Sequence, residues 1–256
     1  MLVNVWRHPP RGLLRQCELP PNVGNHIAAT SVLLLERCPV SQVTQMSRSS
    51  FGRTPCRSRM GTVLWWIMLV LSLAVVADGL KYFVGSVRDK HFATYILPLR
   101  LHIAGGMGAL LTGPWQFSDK LRARNLNFHR WLGRIYLLSV ALGSTAGLAM
   151  SVVSLEGLPT HLGFGILAAL WFSTALQAYL LIRRGEIEPH RRWMIRNFAL
   201  SLAAVTLRIY MPLMLAALHW PFRVTYITVS WLCWIPNLLV AEWLIARDKR
   251  RPVPTS

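Results

Sequence analysis

The chain has 256 residues, of which 53% are hydrophobic and only 15% charged, with a mean hydropathy of +0.38 and 11 tryptophans; a soluble domain carries roughly 25% charged residues. That balance excludes a soluble globular enzyme and points to an all-α, polytopic membrane helix bundle. The net charge of +18 would suggest nucleic acid in a soluble chain, but here topology accounts for it and no nucleic-acid partner is expected.

Residues 1–59 differ from everything after them, holding eight Arg, no Lys and two acidic residues. Their longest apolar stretch, Ser31–Leu35, is far too short to span a bilayer. Such a segment reads as a targeting peptide, a disordered cytoplasmic tail or an over-long gene start, and Met60 directly precedes the first apolar run. The four cysteines (Cys17, Cys38, Cys56 and Cys233) have no CxxC spacing and mark neither a metal site nor a disulfide framework.

Six apolar segments follow, at about 61–79, 97–117, 131–153, 160–182, 197–217 and 225–246. Each is long enough to cross a hydrocarbon core of about 30 Å. Residues 60–248 are therefore expected to form a six-helix transmembrane domain, and 249–256 a short tail. Of the 28 Lys and Arg residues, 22 fall on one side of this arrangement. They lie in the N-terminal segment, between the second and third spans, around the junction of the fourth and fifth, and after the sixth. The positive-inside rule then predicts that both termini are cytoplasmic, in an inner membrane.

Small residues mark the helix contacts. Gly143 and Gly147 form a GxxxG pair in the third span, and Ala104, Gly105, Gly106, Gly108, Ala109 and Gly113 leave the second span smooth. Close helix packing is one reading; a flat wall for a planar cofactor is the other, since both need the same absence of side chain. Gln116 and Gln177 are expected to hydrogen-bond between helices. Arg208 falls too deep in the fifth span for easy snorkelling and must find a partner, with Asp78 of the first span a candidate.

Four histidines, His102, His129, His161 and His190, recur at gaps of 27, 32 and 29 residues. An intramembrane ionisable residue is a functional candidate, and imidazole is a common ligand of haem iron. If spans two to five form an up-down bundle, His129 and His190 face each other near the basic side, and His102 and His161 near the other. Each pair is a candidate axial ligand set for a b-type haem. Arg130, Arg191 and Arg192 would meet the propionates of the inner haem, and Arg100 those of the outer one, with Arg208 a further candidate. In topology and histidine order this resembles the six-span ascorbate-reducible di-haem cytochrome b family, which implies an electron carrier with a redox partner.

A second resemblance covers His102 through Pro212. The blocks HRWLGRIY, HRRWMIRN and AAVTLRIYMP, in that order, are similar to a bacterial family of multi-pass membrane proteins known only as a domain of unknown function. It implies a membrane domain without an assigned activity. A rival to haem is a transporter or small-ligand receptor using Arg208, Arg100 and His102 as an anion site, with Tyr210 and the glycine-rich second span lining a cavity. A third reading is an accessory protein whose basic loops hold anionic lipid or a partner. No GxSxG, HExxH, Walker-type or GxGxxG motif is present. An enzymatic role would therefore be that of a transmembrane oxidoreductase component.

Overall fold

A computed structural model describes residues 59–84 and 94–249; the expected segments 1–59 and 249–256 lie, except at their inner edges, outside the described residues. The described residues are helical or in turns, with six helical stretches long and apolar enough to cross a membrane. The first span is α1 (Arg59–Gly79), followed by the single turn α2 (Lys81–Val84). The second is α3 (Ile96–Gln116), after which α4 (Asp119–Arg124) runs to the third span, α5 (Leu126–Val152). The fourth is α6 (Leu158–Arg183). The fifth is divided into α7 (Ile187–Ser201) and α8 (Ala203–Pro212), and the sixth into α9 (Phe222–Leu232) and α10 (Ile235–Lys249).

Local chemistry sets the boundaries. The Asn125 side chain accepts the Phe128 N–H and Ser118 Oγ accepts that of Leu121, so each starts a helix by satisfying an orphan donor. Pro159 sits in the first turn of α6, where its missing N–H costs nothing. Gly185, at φ +80°, stops that helix in the left-handed region that a glycine adopts without a Cβ penalty. Beyond Pro212, which cannot donate to the preceding turn, the backbone widens into a π-helical turn over Leu213–Ala217.

The third and fifth spans begin earlier than the apolar pattern suggests, at Leu126 and Ile187 instead of about 131 and 197. The basic-aromatic blocks HRWLGRIY and HRRWMIRN are thus helical. Their arginines lie along exposed faces, where guanidinium groups stack on neighbouring rings: Arg134 on Trp131, Arg196 on Trp193 and, in the last helix, Arg247 on Trp243. This end of the bundle, called the basic end below, carries the aromatic–cationic belt of a membrane interface. Large apolar side chains such as Val70, Leu138, Val152 and Leu239 cover the outside of the bundle. Lipid, and not water, is the solvent such a surface fits.

Spans two to five pack in sequence around a common core, with the first span against α3 and α8, and the sixth against α6 and α7. The closest approach is between α3 and α5. A Cβ at Gly105 would stand 2.4 Å from the Gly143 Cα, and one at Gly108 would stand 2.4 Å from Ser139 Oγ. At the basic end Arg196 pairs with Glu242 at 2.5 and 2.8 Å, and Arg191 with Asp248 at 2.8 Å, tying the fifth span to the sixth. Gly105→Ala is expected to overpack the α3–α5 seam by about 1–3 kcal/mol. This lowers the thermal midpoint in detergent by about 2–4 °C for each kcal/mol. Gly106→Ala, with nothing within 4 Å of its Cβ, leaves that midpoint unchanged in the same melt.

Candidate functional site

The two basic-aromatic blocks share a spacing. His129 and Tyr136 in α5 are seven residues apart, and so are His190 and Asn197 in α7. Seven residues are close to two helical turns, so each pair lies on one face, separated by about 10 Å along the axis. The packing of spans three to five turns both faces inward. At the basic end His129 and His190 each open one of these faces. Two turns deeper, the Tyr136 hydroxyl donates to Asn197 Oδ1 at 2.6 Å.

That contact belongs to a fully buried network. Tyr136 Oη is 3.1 Å from Ser201 Oγ, and the Trp171 indole N–H donates to the same oxygen at 2.8 Å. Asn197 Nδ2 donates to the Trp171 carbonyl at 2.7 Å and to Thr174 Oγ1 at 2.8 Å. Ser201 Oγ also reaches the Asn197 carbonyl at 3.1 Å. Every polar atom of the Asn197 side chain is thus engaged, as burial in an apolar bundle demands. None of these residues stood out in the sequence, where Tyr, Asn, Trp and Ser read as ordinary span residues. The shared seven-residue spacing was the signal available.

The four histidines have different settings. His102 Nδ1 is 2.7 Å from the Gly143 carbonyl, to which it donates, leaving Nε2 unencumbered. The ring rests edge-on to Trp171, with centroids 6.4 Å apart, and over Gly147, where a Cβ would fall 2.7 Å from Nδ1. Both glycines of the GxxxG pair serve close packing: Gly143 admits the neighbouring helix and Gly147 admits the His102 imidazole. His190 Nδ1 donates to the Ala178 carbonyl at 2.8 Å. His129 Nδ1 is buried with no hydrogen-bond partner among the described residues. His161 Nε2 is held by the Ser154 carbonyl at 2.9 Å, across the turn before its own helix.

His102 lines a cleft of about 960 Å³ between the spans, together with Gly106, Gly147, Trp171, Ser201 and Arg208. Its exposed end reaches Lys81 and Tyr82, and its floor reaches Ser201 and Cys233. Arg208 Nε donates to Asp78 Oδ2 at 3.0 Å, and Lys81 Nζ to Asp78 Oδ1 at 2.6 Å. Two cations share one carboxylate there, which leaves a net positive charge on the cleft wall. Arg208 thus finds the partner expected in the first span.

Other expected contributors fall elsewhere. His161, Arg100 and Tyr210 are not among the cleft-lining residues; Arg100 Nε instead donates to the Tyr82 carbonyl at 3.1 Å. Arg191 is engaged by Asp248 and Glu188, and Arg130 is exposed. Gln177 is exposed, and Gln116 Nε2 is buried without a partner among the described residues, so neither makes the interhelical bond expected of it.

His129 and His190 thus both lie at the basic end, whereas His102 lines the cleft and His161 is not among its lining residues. Below the inner pair the bundle is packed with Met194, Phe198 and Phe117; the Phe198 ring presses on Gly113, where a Cβ would fall 2.1 Å away. The outer cleft is roomier and carries the free Nε2 and the cationic wall. Of the four spanning histidines, His102 alone is among the residues lining the cleft. Among described residues no cluster of three or more His, Cys, Asp or Glu could hold a bare metal ion. Asn197→Leu removes three hydrogen bonds and leaves the Tyr136 hydroxyl with Ser201 Oγ as its remaining partner among the described residues. We expect a loss of about 2–4 kcal/mol, read as a fall in thermal midpoint in detergent well beyond that of Thr145→Ala on the exposed face of α5.

Comparison with known proteins adds family membership. No curated protein and no solved structure matches the chain. A family model described as "predicted membrane protein (DUF2306)" matches residues 99–245, from the start of the second span into the last helix. The match contains the HRWLGRIY, HRRWMIRN and AAVTLRIYMP blocks and covers well over half of the chain; the protein belongs to the DUF2306 family of membrane proteins.

Proposed function

We propose that this integral membrane protein binds a small amphipathic molecule with an anionic end in the cleft between its spans. The observation that carries the reading is the cleft's lining. Arg208 and Lys81 present net positive charge, Gly106 leaves part of the wall smooth, and His102 and Trp171 also line it. A cavity of this volume suits a small ligand or cofactor, and convergent polar groups on apolar walls are what such sites use. The anionic group is held by Arg208 in low-dielectric surroundings, with Asp78 fixing the guanidinium. The flat body lies along Gly106, and His102 Nε2 offers one hydrogen bond or one metal bond. By the distribution of its Lys and Arg residues, the basic end is read as cytoplasmic in a bacterial inner membrane.

A specific observation favours haem b as the occupant. The His102 Nδ1–H is donated to a backbone carbonyl, the arrangement that orients metal-bound imidazoles and raises their basicity. Arg208 and Lys81 are then suited to propionates. Bound haem would supply one-electron chemistry, and the protein would be an electron carrier with a separate redox partner. The His129–His190 pair is a second candidate ligand set in the same reading, with Arg130 and Arg191 near it.

The test is made on protein purified from membranes. Binding of a fluorescent anionic amphiphile, an anthroyloxy-labelled fatty acid, is expected to weaken by at least about tenfold in Arg208→Gln, a loss of about 1.4 kcal/mol, and to be partly kept in Arg208→Lys. Equal affinity in wild type and Arg208→Gln sinks the anion reading. For haem, the reduced-minus-oxidised spectrum should show a Soret band that His102→Ala loses and His161→Ala keeps. No Soret band and no haem by pyridine haemochrome end that reading alone.

A further inference from the structure

We propose that the protein moves protons between its basic end and the cleft through Tyr136 and Ser201. This goes beyond the ligand reading, because it rests on the buried network and not on what occupies the cleft.

Polar groups in the bundle form a file across the membrane. His129 and His190 stand at the basic end. Tyr136, Asn197 and Ser201 are joined at mid-bundle by contacts of 2.6 and 3.1 Å. Ser201 and His102 both line the cleft, which continues to Lys81 at its exposed end. Polar groups at such depth are costly in hydrocarbon, and a file of them that opens into a cleft can serve as a pathway as well as hold helices together.

Direct contacts lapse twice, across the cleft between Ser201 and His102 and at the break between His129 and Tyr136, about two helical turns apart. Two buried polar atoms border that break, and both lack a hydrogen-bond partner among the described residues: His129 Nδ1 and Gln116 Nε2. Gln116 lies against Gly133, which is four residues after His129 and three before Tyr136; a Cβ there would stand 3.3 Å from Gln116 Oε1. Two unsatisfied polar atoms are the partners a buried water needs, and the Gln116 amide itself fills the space beside Gly133.

Each transfer balances without any redox partner. An imidazolium at His129 or His190 gives its proton to water in this gap, and the water passes a proton to the Tyr136 oxygen. The Tyr136 hydroxyl proton moves to Ser201 Oγ as the Ser201 hydroxyl proton moves to water or His102 Nε2 in the cleft. Both hydroxyls have a second acceptor, Asn197 Oδ1 for Tyr136 and the Asn197 carbonyl for Ser201. Rotation between these acceptors and each other returns the network to its starting state. Net, one proton crosses and no bond order changes.

The experiment uses the full chain in liposomes containing pyranine, with proton entry driven by a potassium gradient and valinomycin. Wild type should acidify the lumen faster than protein-free liposomes, and Tyr136→Phe and Gln116→Leu should each cut that flux by at least about tenfold. Gln116→Leu is the decisive variant. Its Nε2 makes no bond, so the thermal midpoint should hold while the flux falls, which a purely structural glutamine would not do. Wild-type flux equal to that of protein-free liposomes, or wild-type flux retained in either variant, overturns the proposal.

Discussion

The backbone approach of α3 to α5 at Gly105 and Gly143 is the constraint on which the rest of the bundle depends. Lipid offers no hydrophobic gain for bringing helices together, so association rests on close packing and interhelical polar contacts. Removing two side chains at one level lets the backbones come within contact distance. That approach brings the Gly143 carbonyl within 2.7 Å of the His102 ring. One turn farther, Gly147 provides the space the ring occupies. The same seam that holds the spans together therefore orients the imidazole of the cleft.

Beside this seam, where Trp171 packs against Gly143, spans three, four and five are joined by polar bonds. Asn197 ties its own helix to Trp171 and Thr174 of α6 and to Tyr136 of α5. A single amide meets both neighbouring helices and fixes their register, because any slip would leave several buried polar atoms unsatisfied. The two histidine-led blocks look redundant as sequence. They become complementary in the fold, because equal spacings on two parallel helices bring like positions to the same depth.

Charge is divided accordingly. At the basic end the arginines are stacked on aromatic rings or paired with carboxylates of the sixth span, at a level where headgroups also reach. Arg208 is placed differently, a half-buried guanidinium on the cleft wall whose fork is shared between Asp78 and the Ala204 carbonyl. Asp78 is itself shared with Lys81, so the wall stays cationic despite the ion pair. The cleft thus combines charge, smooth apolar walls and one oriented imidazole without any of the catalytic motifs that were sought and absent.

Hydropathy alone determined the six spans, since a bilayer demands about 20 apolar residues per crossing wherever the chain makes one. It also determined that Arg208 needs a partner, and the short blocks were enough to recognise the family. Helix starts at Leu126 and Ile187 were hidden, because arginines that stack on exposed rings look like loop residues to a hydropathy count. The pairing of histidines was equally beyond sequence: spacing sets their depth, but only the rotation of each helix decides where a ring points. His190 turned to the Ala178 carbonyl, while His161 turned to the Ser154 carbonyl just before its own helix. Tyr136 and Asn197 are neutral and unremarkable along the chain, and only tertiary packing made them partners. Periodicity reports which face is apolar, whereas hydrogen-bond identity depends on which two faces meet.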